Sequence, residues 1–275
     1  MSAGASLNPQ QLKFSGTASH KGRHISVTPA NSALDHLHYG RILLDAEVPR
    51  AAFDTGGRET ALISMRGACR VSVNGTVYEI GLHDAIYIPR GSKVEVVSTT
   101  AQVDLVECGA EVTGDYPLQV VRYEDVKKDS SLKFTAGGPS TSRDLNIIIG
   151  ANVQAGRIVA GFTRSQPGNW TSWPPHEHTA LLEELYVYFD MPPPAFGIQM
   201  VYTAPDKPEF VNVVRDGDAV LMPAGFHPNV AAPGHSINFI WMMAARREVE
   251  DRLFGVVNVQ PGFDKAGTGL EASQK

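Results

Sequence analysis

Cysteine is scarce in this chain, and this scarcity excludes two kinds of cross-link. Cys69 and Cys108 are the only two cysteines among 275 residues, and they do not form a Cys-x-x-Cys pair. Two such residues provide neither a disulfide framework nor a thiolate metal site. We expect both thiols to be buried like other apolar side chains, since free cysteine is among the most buried residue types.

Long apolar runs and blocks of like charge are also missing. No stretch reaches the roughly 18 apolar residues that a membrane span needs, and residues 1–25 contain no apolar segment typical of a signal peptide. The formal net charge is −5 and the pI is about 6.0, so electrostatics does not favour binding to nucleic acid or to an anionic membrane. We therefore expect a cytoplasmic protein that binds a small molecule and neither nucleic acid nor a membrane.

The chain has little helical periodicity, which is weakly present only at Ala245–Phe254. Its apolar residues, 43% of the total, fall in short runs between Gly, Pro, Asn and Asp. Asn74-Gly75 between two such runs is the strongest hairpin signal. Evenly spaced short strands indicate an all-β sandwich or barrel. The predicted strands are Arg41–Val48, Thr60–Met65, Ala68–Val73, Thr76–Ile80, Ala85–Ile88, Val94–Val97, Gln102–Cys108, Arg157–Thr163, Leu185–Phe189, Gly197–Tyr202, Phe210–Val214, Ala219–Met222 and Ser236–Met243.

Candidate metal ligands are concentrated in one part of the second half. His176 and His178 lie two residues apart, so on a strand their imidazoles point to the same face. A glutamate follows, Glu183 or Glu184, and His227 supplies a third imidazole. Three nitrogens and one oxygen, without a thiolate, suit Mn, Fe, Co, Ni or Zn. The sequence therefore predicts a metal site with positions left open for a substrate.

One segment of the sequence occurs twice, which indicates two copies of the same unit. His83–Lys93 aligns without gaps on Gly217–His227. Lys93 then stands in the place of His227, and a charged ammonium cannot be a metal ligand. A breaker-rich stretch near residue 138 separates the two copies. We expect an N-terminal domain without a metal site at residues 1–138 and a metal-binding C-terminal domain at residues 139–275.

The spacing of these ligands resembles the two motifs of the cupin superfamily. The pattern is His-x-His, then Glu, then Gly-(x)5-Pro-x-Gly-x-His, and two such units in one chain resemble a bicupin. More narrowly, the second half resembles the 5-deoxy-glucuronate isomerase family of myo-inositol catabolism and the related 5-keto-4-deoxyuronate isomerases. The segments that carry this resemblance are Pro167–His178, Leu182–Tyr186, Phe196–Thr203, Asp216–Pro223 and Gly225–Pro228, with Tyr186–Met191 and Phe239–Trp241 for the related isomerases.

The resemblance implies both a fold and a function. The fold is an all-β bicupin, with two jelly-roll β-barrels in one chain and one bound divalent metal ion, Zn, Mn, Fe or Ni. The function is a metal-dependent aldose–ketose isomerase that converts 5-deoxy-glucuronate to 2-deoxy-5-keto-gluconate, or that acts on a closely related sugar acid. Two alternatives are open, a cupin metal-dependent dioxygenase and a non-catalytic sugar-acid-binding bicupin. Exposed sheet edges favour a homo-oligomer, a dimer or larger.

The resemblance also distinguishes between the two glutamates. It favours Glu184 as the oxygen ligand, and Glu184 begins the strand whose same-face residues are Tyr186 and Tyr188. We expect the base that moves the proton to be Tyr186, Tyr188, a metal-bound hydroxide or Glu184 itself. The catalytic candidates among the side chains are therefore Glu184, Tyr186 and Tyr188.

Two further residues are candidates for substrate binding. Arg143 carries a planar fork of donors that matches the two oxygens of a substrate carboxylate, and Gln199 matches the family at a second position. The chain departs from the family at two places. Asn146 stands where the family usually has a histidine, and Met200 stands where it usually has an arginine.

Overall fold

The computed structural model describes residues 7–263. Among these described residues, strand accounts for 47% and helix for 3%, which confirms the all-β prediction. No helix in the described part is long and apolar enough to cross a membrane. The first half contains a 3₁₀ turn at Pro9–Gln11 and the strands β1 (Lys13–Phe14), β2 (Gly22–Val27), β3 (Leu37–Leu44), β4 (Arg50–Asp54), β5 (Arg58–Arg66), β6 (Cys69–Val73), β7 (Thr76–Ile80), β8 (Ala85–Ile88), β9 (Lys93–Ser98), β10 (Val103–Glu111) and β11 (Gln119–Val121).

The second half repeats this arrangement of short strands after a single helical turn. Its elements are α1 (Tyr123–Val126), β12 (Lys133–Ala136), β13 (Arg143–Ile149), β14 (Ile158–Ser165), β15 (Trp170–Thr171), β16 (His176–Glu177), β17 (Leu182–Tyr188), β18 (Gly197–Val201), β19 (Phe210–Val214), β20 (Ala219–Met222), β21 (Asn229–Ala231), β22 (Asn238–Ala245) and β23 (Asn258–Val259).

The prediction of weak helical character at Ala245–Phe254 is wrong. Ala245 ends β22, and the following residues form hydrogen-bonded turns. Val249 has φ of +66°, a conformation that does not belong to a right-handed helix, and its N–H donates to the carbonyl of Gly156. Tertiary hydrogen bonds therefore replace the helical ones in this segment.

Each half of the chain folds as two packed sheets. In the first half, the six-stranded sheet β11-β8-β5-β10-β3-β2 packs on the four-stranded sheet β4-β9-β6-β7. Their facing side chains form a closed apolar core that includes Ile42, Leu62, Val71, Ile86 and Val96. The second half pairs a seven-stranded sheet, β1-β20-β17-β22-β14-β13-β12, with the four-stranded sheet β15-β21-β18-β19. The strands β1 and β12 thus belong to the second sheet system although both precede residue 138, and the division at residue 138 stays a prediction.

The two large sheets pack against each other and join the halves. Residues on the opposite faces of β3, β5 and β8, among them Tyr39, Ala61 and Tyr87, share one core with Leu185 and Leu221 of the second half. Strands covered on both faces have no polar side, so their sequences are almost continuously apolar. Every residue of β8, β20 and β22 is buried.

Two buried glutamates connect the halves reciprocally. Glu183, at the start of β17, accepts three backbone N–H groups from residues 35–37, at N···O distances of 2.7, 2.8 and 2.7 Å. Glu59, at the start of β5, accepts three backbone N–H groups from residues 156–158, each at 2.7 Å. The Tyr87 hydroxyl also donates to Glu59, at 2.6 Å. Each carboxylate therefore satisfies the N–H groups that precede a central strand of the other half.

The strand register extends the internal repeat beyond the aligned segment. Thr60 pairs with Ile88 in the first half, and Glu184 pairs with Met222 in the second. Since Ile88 and Met222 are equivalent in the repeat, Thr60 occupies the position of Glu184. Thr60 and Lys93 thus replace two of the candidate ligands, and the interior of the first barrel is filled with apolar side chains.

The Glu59 carboxylate is expected to contribute strongly to stability. Replacing it in Glu59→Gln leaves three N–H groups with a weaker acceptor and places an amide donor among other donors, in a buried site. We expect the free energy of unfolding to fall by about 3 kcal/mol, because buried hydrogen bonds to a charged group are worth roughly 1.5–3 kcal/mol each. Urea unfolding measures this loss. The matched control is Glu95→Gln on an exposed strand face, and a loss no larger than that of the control would contradict the role of Glu59.

His38 is expected to make stability depend on pH. Burial, and secondly the charge of Arg58, lower the pKa of His38 to about 4 from its ordinary 6.5. Below pH 6.5 the unfolded chain takes up a proton that the folded chain binds only near pH 4, so stability falls as the pH drops through this window. In His38→Asn there is no imidazole at this position, so this loss of stability is absent. The stability difference between the variant and the wild type, from urea unfolding, should therefore move in favour of the variant between pH 7.5 and pH 5, and an unchanged difference would refute the assignment.

Candidate metal centre

Three of the four expected metal ligands meet inside the second barrel. One ligand atom from each of His178, Glu184 and His227 lies within 4.8 Å of the others, and all three residues are buried. Glu184 Oε2 lies 3.1 Å from His178 Nε2 and 3.2 Å from His227 Nε2. Glu184 comes from β17, His178 follows β16, and His227 follows β20. The cluster therefore exists only when three separate parts of the chain are folded together.

The three histidines share the same orientation. Each turns its Nδ1 atom towards a backbone carbonyl oxygen, which can only accept, so Nδ1 carries the hydrogen and Nε2 carries a lone pair. Such contacts are the usual way of orienting a metal-binding imidazole. The pairs are His176 with Pro174 at 2.8 Å, His178 with Leu182 at 3.0 Å, and His227 with Gly225 at 2.9 Å.

This orientation creates an electrostatic conflict that a cation would remove. With Nδ1 protonated, a neutral imidazole directs the lone pair of Nε2 at the carboxylate of Glu184, which also only accepts. Within residues 7–263, three buried side-chain polar atoms lack a hydrogen-bond partner, and two of them are Glu184 Oε1 and His227 Nε2. Buried polar atoms of native proteins are nearly always satisfied. A cation bound among these atoms would give them a partner, and the donor set suits a divalent transition metal.

His176 lies beside this trio without joining it. Its ring centroid is 4.9 Å from that of His227 and 6.4 Å from that of His178, and its side chain lines the same cavity. His176 is carried by β16, a strand of two residues that pairs with β23. The structure therefore brings three of the four predicted ligands together and places His176 on the wall of the same cavity, where its role as a ligand stays a prediction.

The charges of the cluster follow from its burial and its contacts. Burial alone would raise the pKa of Glu184, but the protons that His178 and His227 would carry on Nε2 in the absence of a cation outweigh burial and hold it at about 2. Burial, followed by the proximity of His227 and His178, lowers the pKa of His176 to about 3. Burial also disfavours protonation of His178, but in the absence of a cation the proton that Nε2 can share with Glu184 outweighs burial and raises the pKa of His178. Glu184 is thus an anion, and His176 is neutral and available as a ligand at neutral pH.

A narrow cavity of about 50 Å³ lies next to the cluster. Tyr186 lines it, and its hydroxyl is 2.7 Å from the hydroxyl of Ser172. Burial and the charge of Glu184 raise the pKa of Tyr186 well above its usual value, so this phenol is protonated and able to donate a hydrogen bond. The lining residues are Arg143, Leu145, Thr163, Ser172, His176, His178, Leu182, Glu184, Tyr186, Phe239, Trp241, Met243 and 254–257.

Among the residues that line the cavity, Arg143 carries a positive charge. This position agrees with its predicted contact with the substrate carboxylate. It is buried, with 4% of its surface exposed, and its guanidinium donates to the carbonyls of Thr141 at 3.1 Å and Trp173 at 2.9 Å. These bonds hold the side chain in place at the cavity. Its predicted role in binding a carboxylate stays a prediction that is compatible with this position.

Tyr188 and Gln199 lie behind the cluster and do not line the cavity. The Tyr188 hydroxyl donates to Gln199 Oε1 at 2.5 Å, and Asn229 Nδ2 donates to the same oxygen at 3.0 Å. Gln199 Nε2 donates to the backbone carbonyl of His227 at 2.9 Å. The contacts of both side chains thus support the loop of His227, while their predicted catalytic and substrate-binding roles stay predictions.

The two departures from the family pattern also lie away from the cavity. Asn146 accepts a hydrogen bond from the Tyr123 hydroxyl at 2.8 Å and donates to the carbonyl of Phe162 at 3.4 Å. Met200 pairs with Val211 between β18 and β19, with its neighbour Gln199 pointing inward. Neither departure changes the cavity wall.

Sequence reasoning missed one wall of the cavity entirely. Residues 254–257 line it, and Phe254 stacks on Trp241 with ring centroids 4.9 Å apart and planes at 19°. No motif marks this segment, because its members are ordinary apolar residues that follow the last strand of the barrel. Ser172 also lines the cavity. It lies within the segment Pro167–His178, but nothing in the sequence distinguishes it from its neighbours there.

Two barrels in one chain, with a buried cluster of histidines and glutamate in the second, define a bicupin. The model of the KduI/IolB family matches residues 12–254. The chain belongs to the KduI/IolB family.

Curated relatives of the chain carry two names. The 5-deoxy-glucuronate isomerase of Geobacillus kaustophilus is 27% identical over 241 residues, which are 82% of this chain and 85% of the relative. The 4-deoxy-L-threo-5-hexosulose-uronate ketol-isomerase of Shigella boydii is 30% identical over 199 residues, which are 70% of this chain and 69% of the relative. The chain is similar to both kinds of isomerase over most of their length.

Solved structures support the fold. An IolB-like protein from Salmonella typhimurium is 22% identical and superposes with a TM-score of 0.80 over 92% of this chain and 97% of its own. A variant of Bacillus subtilis oxalate decarboxylase is 12% identical, with a TM-score of 0.62 over 87% of this chain and 78% of its own. The bicupin prediction is therefore confirmed at the level of fold.

Proposed function

We propose that this chain is a metal-dependent sugar-acid isomerase that converts 5-deoxy-glucuronate to 2-deoxy-5-keto-gluconate. The observation that carries the proposal is the buried cluster of Glu184 and three oriented imidazoles, set in a cavity with an arginine. The similarity to 5-deoxy-glucuronate isomerase over 82% of the chain supports the reaction type and the substrate. The 30% identical ketol-isomerase makes 4-deoxy-L-threo-5-hexosulose-uronate the second substrate to test.

His176, His178, Glu184 and His227 would hold one divalent ion, Zn, Mn, Fe or Ni. When bound, the ion supplies Lewis-acid stabilisation of the negative charge that develops on adjacent sugar oxygens. Orientation by backbone carbonyls keeps the Nε2 atoms of His178 and His227 directed at Glu184, so these two imidazoles need little reorganisation to bind the ion.

The remaining polar groups of the cavity position the substrate and handle the proton. Arg143 binds the carboxylate through its planar fork of donors. Tyr186 is protonated, and its hydroxyl donates to the sugar oxygen whose charge rises during the reaction. The Ser172 hydroxyl lies 2.7 Å from the Tyr186 hydroxyl and orients it. Of the residues predicted to move the proton, Glu184 and Tyr186 line the cavity and would take part in its transfer between C1 and C2.

The proposal includes the setting of the enzyme. We propose that it acts in inositol catabolism in the cytoplasm, as a homo-oligomer, with a metal-binding domain at residues 139–275 and a metal-free domain at residues 1–138. The strands β7 and β19 end their sheets, and Val77 and Val211 on them are more than half exposed. Such edges are commonly covered by another subunit.

Metal binding is expected to depend on His178. Protein freed of metal by a chelator should bind one Zn²⁺ or Mn²⁺ per chain in a calorimetric titration. In His178→Ala the affinity should fall by more than about 100-fold, because changes outside the ligand shell alone cost roughly 10–100-fold. His235→Ala, outside the cluster, is the control and should bind like the wild type. Equal binding by both variants would remove the cluster as the metal site.

Turnover is expected with the metal-loaded protein and should depend on Tyr186. Proton NMR should show 5-deoxy-glucuronate disappearing and 2-deoxy-5-keto-gluconate forming, with no product from His178→Ala. Because a positioned acid contributes roughly 100-fold or more, Tyr186→Phe should lower kcat by about 100-fold. Tyr188→Phe, whose hydroxyl is bonded to Gln199, should lower it less. No conversion of either isomerase substrate with Zn, Mn, Fe or Ni would overturn the proposed function.

A further inference from the structure

Residues 254–260, here called the strap, run from the wall of the cavity, which residues 254–257 line, to the strand β23. Phe254 and Val256 both line the cavity beside the metal-ligand candidates. Val256 is nevertheless 48% exposed, so about half of its surface is not covered by other residues. Gly255 between them has φ of +83°, a conformation that is easy only for glycine. The strap therefore covers the cavity without being packed into the core along its whole length.

The strap also holds the strand that carries His176. In β16 and β23, His176 pairs with Val259 and Glu177 pairs with Asn258, and within residues 7–263 β16 pairs with no other strand. Asn258 Nδ2 donates to Glu177 Oε1 at 2.6 Å. Every regular backbone pairing of β16 thus comes from the strap.

Gln260 fastens the end of the strap. Its backbone N–H donates to the carbonyl of Pro175 at 2.9 Å, and its side-chain oxygen accepts from the Tyr202 hydroxyl at 2.6 Å. Pro175 directly precedes His176. A shift of the strap would therefore move the most loosely placed member of the ligand set, while His178, Glu184 and His227 have supports of their own.

In this structure the cavity is too small for a six-carbon acid. Its volume of about 50 Å³ is several-fold below the roughly 300 Å³ at which ligand pockets begin. A second cavity, of about 310 Å³, lies on the other side of Phe254 and Val256 and is lined in part by Asn152 and Arg252. Movement of the strap would join the two spaces. Arg252 would then present a positive charge along the route of an anionic substrate.

We propose that the strap positions His176 at the metal centre and must leave β16 to admit the substrate, with Asn258 and Gln260 as positioning residues. The proposal rests on the proposed function for the identity of the substrate, but its effect on His176 is independent of turnover. The matched family region ends at residue 254, so the strap from residue 255 onward lies outside the part of the chain on which family membership rests.

The first test measures the metal alone. Co²⁺ is bound to the metal-freed full-length protein, and its removal by excess chelator is followed by the visible absorption of the ion. Gln260→Pro removes the N–H group that donates to Pro175, whereas Gln260→Ala keeps it and serves as the matched control. We expect Gln260→Pro to accelerate removal at least about tenfold, to give the absorption spectrum of His176→Ala, and to have no further effect when combined with His176→Ala.

Removal at the wild-type rate, or acceleration of equal size with and without His176, would overturn the positioning role. An equal effect of Gln260→Ala would also overturn the assignment to the backbone bond. Urea unfolding of each variant shows whether the fold is kept, and the crosslink below decides the matter if Gln260→Pro does not fold.

The second test locks the strap instead of releasing it. Glu177→Cys with Asn258→Cys places two thiols at a directly paired position, within reach of a disulfide. Neither residue lines the cavity, and the native Cys69 and Cys108 are buried. In the oxidised form we expect Co²⁺ removal to slow at least tenfold and turnover to stop, with both recovering on reduction. If the oxidised and the reduced form lose Co²⁺ at the same rate and also turn over substrate at the same rate, the proposal is wrong. If the wild type shows no turnover, the proposed function fails, and the rates of Co²⁺ removal alone decide the role of the strap.

Discussion

The reciprocal pairing of two buried carboxylates with backbone N–H groups is the constraint on which the molecule depends. Glu59 and Glu183 each satisfy three donors of the opposite half, so neither large sheet can be moved without exposing buried charge and unpaired amides. Because Glu183 is the neighbour of Glu184 on β17, this anchor also sets the position of the candidate metal ligand. Strand β17 thus carries both Glu183, which connects the two halves, and Glu184, the candidate metal ligand.

The two halves show how one fold is kept while its interior changes. At equivalent positions the first half has Thr60 and Lys93 where the second has Glu184 and His227. The first interior is filled with apolar side chains, whereas the second contains a cavity with imidazoles, a carboxylate and a guanidinium. The outer faces of both large sheets stay apolar, since they pack on each other. The contact between the two large sheets therefore requires apolar residues on the outer face of each, whereas the residues inside the two barrels are free to differ.

Backbone carbonyl groups hold the imidazoles of the second barrel in their orientation. Three carbonyl oxygens orient the three imidazoles, and Gln199 ties Tyr188 to the loop of His227. When the imidazoles are neutral, these contacts leave the Nε2 atoms of His178 and His227 facing Glu184 without a donor between them, which is a costly arrangement unless a cation is present. His176 differs because its support is a short strand outside the barrel sheets. His176 is therefore the ligand candidate whose backbone support comes from the strap.

The sequence by itself determined the all-β class, the repeat, the family and the candidate ligands, because these depend on residue type and on spacing within short segments. Strands such as β7, β8, β19 and β20 were predicted to the residue, since turn signals bound their apolar runs. Tertiary structure alone decided that Tyr188 and Gln199 lie behind the ligands, that Asn146 and Met200 leave the cavity unchanged, and that residues 254–257 form a wall. It also decided that Ala245–Phe254 is not helical. Each of these depends on contacts between residues far apart in the chain, for which local periodicity carries no signal.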